Sequence, residues 1–155
     1  MRVHLGSDHA GFELKEHLRL WLTEQGHEVV DAGPGHFDAS DDYPPFVLRA
    51  AEATAADSAA LAIVIGGSGN GEQIAANKVA GVRAALGWSV EIAQLARQHN
   101  DANVLGLGAR MHSQAEATEL VATFLDTPYS GDARHTRRID MITRYERGGE
   151  LPPLP

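Results

Sequence analysis

Short apolar or β-branched runs alternate along the chain with segments whose apolar residues recur every three or four positions. Arg2–Leu5 predicts a first strand, which ends in Gly6-Ser7-Asp8. Gly11–Glu24 follows as a helix, because Leu14, Leu18, Trp21 and Leu22 fall at i, i+4, i+7 and i+8 on one stripe. Gly26 ends it. Glu28–Asp31 is a second short strand, and Ala32–Pro45, rich in Gly, Pro and Asp, is a loop long enough to cover something. Phe46–Ala56 reads as an Ala-rich helix. Leu61–Ile65 is a continuous apolar run, the mark of a strand buried on both faces. It runs into Gly66-Gly67-Ser68-Gly69-Asn70-Gly71, with a helix opening near Glu72. Val82–Leu86 and Asn103–Leu107 are further strands, separated by a helix capped at Ser89 that runs to about Gln98. Ser113 and Glu116 form a capping box that opens a helix to about Leu125. Asp132–Arg147 is a last, polar helix closed by Gly148-Gly149, and Leu151–Pro155 is a loose tail.

This alternation predicts a single α/β domain over 1–147, with 148–155 as a flexible tail. The expected fold is a doubly wound, Rossmann-like sheet of five parallel strands flanked by helices, with an added C-terminal helix. Ligands of such sheets bind beyond the carboxyl ends of the strands. Attention therefore falls on Asp8-His9, the glycine loop and residues 108–112.

Composition narrows the chemistry. A chain of 155 residues with 43% hydrophobic and 22% charged residues is an ordinary globular protein. Having no cysteine, it has no disulfide framework, thiolate metal site or cysteine nucleophile. A formal charge of −8 argues against nucleic acid or an anionic membrane as partner. No apolar run approaches the ~20 residues of a membrane helix, and the first residues read as a strand rather than a leader. A cytoplasmic protein is expected.

Three constellations carry candidate chemistry. The glycine loop lacks the last glycine of a dinucleotide fingerprint. Gly66 and Gly71 have P-loop spacing, but Glu72-Gln73 stands where Lys-Ser/Thr is required, and a carboxylate there repels a triphosphate. Amides at a helix N-terminus suit a developing oxyanion, and Glu72 beside them suits proton removal α to a carbonyl. Burial would raise the Glu72 pKa and the helix N-terminus would lower it. The ordinary alternative is a tight turn with a capping Glu.

Of eight histidines, His9 at a strand end and His99 before Asn100 stand out, both placed at the carboxyl edge of the sheet. His4 lies within a strand, and His17 and His27 lack polar company. Neither His9 nor His99 has metal-ligand spacing with another His or an acid. Arg134 and Arg138 are four apart on one helix face, which suits a phosphate monoester, with Arg110 as a third candidate. The alternative is a solvated face paired with Asp140 and Glu146.

Together the stretches Gly6-Ser7-Asp8-His9-Ala10-Gly11, Gly66 to Lys78, His99-Asn100 and Arg134 to Asp140 resemble the type B ribose-5-phosphate isomerases. That family also holds galactose-6-phosphate isomerase subunits. The resemblance covers residues 1 to about 147. Many members carry a catalytic cysteine where this chain has Gly66; it is similar instead to the actinobacterial branch, where a glutamate at Glu72 is the base. The resemblance implies that Asp8 and His9 contact substrate, His9 near the phosphate. Gly67, Ser68, Gly69, Asn70 and Gly71 would cradle the enediolate. His99 would open the furanose ring, Asn100 would bond the sugar, and Arg110, Arg134 and Arg138 would hold the phosphate. Tyr43 would line the site. The implied assembly is a homodimer in which His99, Asn100 and Arg110 reach the site from the neighbouring subunit, with no metal or cofactor. The implied reaction is isomerisation of D-ribose 5-phosphate and D-ribulose 5-phosphate through a cis-enediolate. A different phosphosugar, or a non-catalytic sugar-phosphate-binding module, are the alternatives.

Overall fold

The computed structural model describes residues 1–154, and Pro155 lies outside them. Five strands form one parallel sheet: β1 Arg2–Ser7, β2 Glu28–Asp31, β3 Leu61–Gly66, β4 Ala84–Leu86 and β5 Val104–Gly108. Their spatial order is β2-β1-β3-β5-β4, so β5 inserts between β3 and β4. The helices are α1 Phe12–Glu24, α2 Pro44–Ala56, α3 Asn70–Ala76, α4 Val90–Asn100, α5 Gln114–Asp126 and α6 Ala133–Gly148.

β3 is central and buried at every residue. Its side chains alternate between two cores, as the pleat requires. Ile63 and Ile65 join Leu14, Leu18 and Leu22 of α1 and Phe124 of α5 on one face. Ala62 and Val64 meet Val47, Ala50 and Ala51 of α2 on the other. This explains why the sequence of β3 shows no polar alternation.

Differences from the sequence reading are local. His9–Gly11 form a 3-10 turn capped by Asp8, so the first helix starts at Phe12. α2 starts at Pro44, since proline suits the first helical turn. The fourth strand is only Ala84–Leu86; Val82 is buried just outside it. α4 runs to Asn100, where Asp101 takes the left-handed conformation that stops it. The Ser113–Glu116 capping box forms as expected. Gly149, at φ 69°, caps α6, and the described residues beyond it carry no helix or strand.

Two buried polar groups need explanation. Lys15 is fully buried on α1, yet its ammonium pairs with Glu16 at 2.6 Å and with Asp31 at the end of β2. Its aliphatic stem runs under Gly33, rooting the long loop that follows β2. His4 of β1 is buried with neither ring nitrogen hydrogen-bonded, and burial pushes its pKa down. The unfolded chain then takes up a proton below the ordinary value of 6.5 that the folded chain refuses. Stability from this group is fully present above that value and falls as the pH drops beneath it. Replacing His4→Val is therefore expected to flatten the loss of Tm between about pH 7 and pH 5. Thermal unfolding at both pH values checks this, and an unchanged slope would assign it to other groups.

Candidate active site

The glycine loop begins where β3 ends. Gly69, at φ 81°, turns the chain into α3 through a conformation that side chains disfavour. This puts Glu72 at the third helical position, where its carboxyl folds back toward β3. A Cβ on Gly66 would lie 1.8 Å from Glu72 Oε1 and 2.1 Å from its Cδ. The carboxyl thus occupies the volume that any side chain at position 66 would need. Glu72 is only 4% exposed. Burial pushes its pKa up, and the Asp8 charge adds to this; the amides of Glu72 and Gly69 pull the other way and lose. Between the helix N-terminus and burial, burial prevails. The N–H groups of Gly67 and Ser68 donate to no other described residue. Ser68 Oγ accepts weakly from Asn70 N at 3.4 Å.

Neighbouring segments enclose this centre. Asp8 Oδ1 accepts from Ala10 N at 3.0 Å and Gly11 N at 3.3 Å, holding the turn that carries His9. The turn after β5 is tied to the loop: Ala109 N donates to Gly66 O at 2.8 Å and Arg110 N to Gly67 O at 3.1 Å. The Arg110 guanidinium lies beside Gly67, 3.3 Å from where a Cβ would stand. Tyr43, just before α2, sets its hydroxyl 2.7 Å from the corresponding point on Gly71. His9 Nδ1 is 2.9 Å from Asp41 Oδ1, a contact on the long loop that no sequence motif announced. Asp8, His9 and Asp41 bring ligand atoms within 4.8 Å of one another, as a metal site would need. Those of His9 Nδ1 and Asp41 Oδ1 are already engaged with each other.

His99 and Asn100 lie elsewhere. α4 returns the chain from the carboxyl end of β4 to the amino end of β5, so its last turn stands at the amino edge of the sheet. Asn100 O accepts from Arg83 Nε at 2.8 Å, and Arg83 immediately precedes β4. The expectation of His99 at the carboxyl edge is therefore corrected. The five residues of β5, at about 3.3 Å each, separate the edges by roughly 16 Å.

The His99 ring packs at a tilt against His135 of α6, with ring centroids 4.2 Å apart. Beside His135, Arg134 and Arg138 are exposed. Arg134 Nε approaches Asp132 at 3.5 Å rather than Asp140, and Glu146 instead accepts from Gly81 N at 2.9 Å. Two clusters result. One holds Asp8, His9, Tyr43, residues 66–72 and Arg110; the other holds His99, Asn100, Arg134, His135 and Arg138. Arg110, expected from a neighbouring subunit, borders the glycine loop of its own chain. His135 was not singled out by the sequence, because a histidine inside a basic helix carries no spacing signal.

The sequence model of the family described as Ribose/Galactose Isomerase matches residues 3–142. Ribose-5-phosphate isomerase B of Mycolicibacterium paratuberculosis is 57% identical over 155 residues, covering 100% of this chain and 98% of that protein. Ribose-5-phosphate isomerase B of Escherichia coli K12 is 40% identical over 146 residues, covering 94% and 97%. Among solved structures, ribose-5-phosphate isomerase B from Mycoplasma genitalium with bound ribulose-5-phosphate aligns with a TM-score of 0.91 at 44% identity. That alignment covers 95% of this chain and 97% of that one. The enzyme from Clostridium thermocellum aligns at 0.91 and 40% identity, covering 97% and 100%. A match across nearly the whole domain, with relatives of the same length above half identity, places the chain in the ribose/galactose isomerase family, among its type B ribose-5-phosphate isomerases.

Proposed function

We infer that this chain is an isomerase interconverting D-ribose 5-phosphate and D-ribulose 5-phosphate. The observation that carries the chemistry is the buried Glu72 carboxyl seated beside amides that lack protein partners. A base with a raised pKa next to preorganised N–H donors suits removal of a proton α to a carbonyl. Glu72 takes the proton from C2 of the open aldose, the amides of residues 67–71 and the Ser68 hydroxyl hold the cis-enediolate, and the proton returns at C1. The reaction moves only protons between carbons and oxygens of one substrate, so it calls for no cofactor and no metal.

Ring opening needs an acid, and His99 supplies it. Within one chain His99 stands at the opposite edge of the sheet from Glu72. A homodimer meets this requirement: the carboxyl-edge cluster of one copy faces the His99, Asn100, Arg134 and Arg138 cluster of a second. Unpartnered apolar surface near both clusters supports such an assembly. Trp88 and Met111 flank the glycine loop at 64% and 65% exposure, and Ile142 and Tyr145 lie exposed on α6. The exposed guanidinium groups of Arg134 and Arg138 then grip the phosphate, with Arg110 approaching from the loop side. In this reading residues 1–147 form a single sugar-phosphate isomerase domain. No described helix is long and apolar enough to cross a membrane. An enzyme acting on charged phosphosugars works where they are retained, in the cytoplasm.

A direct assay of ribulose 5-phosphate formation from ribose 5-phosphate with EDTA present tests the reaction and its independence of metal together. Robust turnover is expected. Turnover only of a tetrose or hexose phosphate would move the substrate assignment, and sugar-phosphate binding without any turnover would favour a binding module.

Glu72→Gln keeps the shape and removes the base, so kcat should fall by about 10²–10⁴-fold. Tm at neutral pH should hold or rise, because a buried carboxylate costs stability above its pKa. Gly66→Ala should lose comparable activity by displacing the Glu72 carboxyl. On the acid side, wild-type kcat/KM should rise with pH along a limb lying above the ordinary carboxylate value of 4.5. A subunit-mixing experiment tests the shared site. Inactive Glu72→Gln and His99→Ala proteins, unfolded and refolded together, should recover about a quarter of wild-type activity, since half the dimers are mixed and each holds one intact site. Recovery no greater than the sum of the parents would place both residues in one chain's site.

A further inference from the structure

We propose that Asp41 is a positioning residue for His9: it fixes the proton on Nδ1 and presents Nε2 to the sugar phosphate as a hydrogen-bond donor. The proposal rests on the isomerase reading above and adds to it a loop residue that no motif contains.

The geometry is specific. His9 Nδ1 is 2.9 Å from Asp41 Oδ1 and 3.2 Å from Asp41 O. Both atoms only accept, so Nδ1 is the nitrogen that carries hydrogen. The backbone N–H of His9 donates to the same Oδ1 at 2.7 Å. Imidazole and turn are therefore held together by one carboxylate. Nε2 makes no hydrogen bond to another described residue and is left free for a ligand. Substrate contact through a neutral His9 would make Nε2 an acceptor, which a phosphate dianion cannot use. Contact through an imidazolium makes it a charged donor.

The surroundings favour the cation. The Asp41 side chain is only 11% exposed, and its Oδ2 is buried with no partner. A buried carboxylate so placed is best compensated by a positive neighbour. Asp8 Oδ2 lies 3.9 Å from Nδ1 on the His9 side of the turn. Asp38, on the same loop as Asp41, also senses the His9 charge. The Phe37 ring packs edge-on at 6.4 Å. From the glycine loop, Glu72 faces Asp8 and the Arg110 guanidinium stands beside Gly67. Carboxylates thus outnumber cations around His9, and its pKa is held above the ordinary range, chiefly by the Asp41 hydrogen bond.

Asp41 is itself placed by a turn. Its N–H donates to Asp38 O at 3.2 Å, and Asp38 Oδ1 accepts from Ser40 N at 2.9 Å and Ser40 Oγ at 2.7 Å. Two residues further on, Tyr43 stands over Gly71. One loop therefore supplies both the clamp on His9 and a wall of the site.

The test compares wild type with Asp41→Asn, which keeps the size and removes the charge. His9 is followed by NMR in protein carrying ¹⁵N-labelled histidine, and KM for ribose 5-phosphate is measured across pH. In wild type, His9 should stay cationic to a higher pH, with KM rising as the pH passes its pKa. Asp41→Asn should lower that pKa and move the KM inflection down with it, raising KM at neutral pH by about tenfold, the factor that 1.4 kcal/mol represents, while kcat changes little. In a His9→Asn background, which keeps the backbone N–H, Asp41→Asn should have no further effect on KM. Either an unchanged His9 pKa or an equal KM rise in that background would overturn the positioning role. A shifted pKa with a His9→Asn KM equal to wild type would uphold the Asp41–His9 coupling and overturn the placement of the phosphate.

Discussion

The site depends on one steric exchange: the Glu72 carboxyl fills the space that a side chain on Gly66 would take. Much follows from it. β3 must end in glycine, and the left-handed turn at Gly69 must bring the third residue of α3 back over the strand end. The reward is a carboxyl withdrawn from water, next to unpaired amides, with its pKa pushed up by burial and by Asp8. A group held this way weakens the fold at neutral pH, and active sites commonly carry such a local cost in stability.

The sheet order serves the same centre. With β5 next to β3, the turn after β5 reaches Gly66 O and Gly67 O and fixes the loop from one side. The Asp8-capped turn after β1 borders it on the other, with Ala10 Cβ 3.7 Å from where a Cβ on Gly67 would stand. The long loop after β2 adds a third wall. It is rooted by the buried Lys15–Asp31 pair, shaped by the Asp38 turn, joined to His9 through Asp41, and delivers Tyr43 to Gly71. Three connections at one edge of a parallel sheet thus converge on a few atoms.

The same topology keeps His99 away. A helix linking two parallel strands begins at their carboxyl edge and ends at the amino edge. A residue in its last turn is therefore remote from the glycine loop of its own chain. Contact of the His99 ring with His135 then gathers it with Arg134 and Arg138 into a basic surface of its own. Under the proposed function, these two clusters at opposite edges would be brought together by a second copy in a self-complementary two-fold pairing.

Periodicity and turn chemistry were enough to read the strands, the helices and the parallel class, because burial on both faces makes β3 uniformly apolar and the Ser113 capping box is a local hydrogen-bond pattern. The spacing of Gly66 to Glu72 likewise excluded nucleotide motifs and put a carboxylate beside amides. These properties belong to neighbouring residues, so linear order determined them. Tertiary structure alone decided the rest. Whether burial or the helix N-terminus governs Glu72 depends on what covers it. The insertion of β5 between β3 and β4, the approach of Asp41 to His9 across 32 residues and the packing of His99 against His135 all join segments distant in sequence. Their energies come from contact and desolvation, which local pattern does not encode.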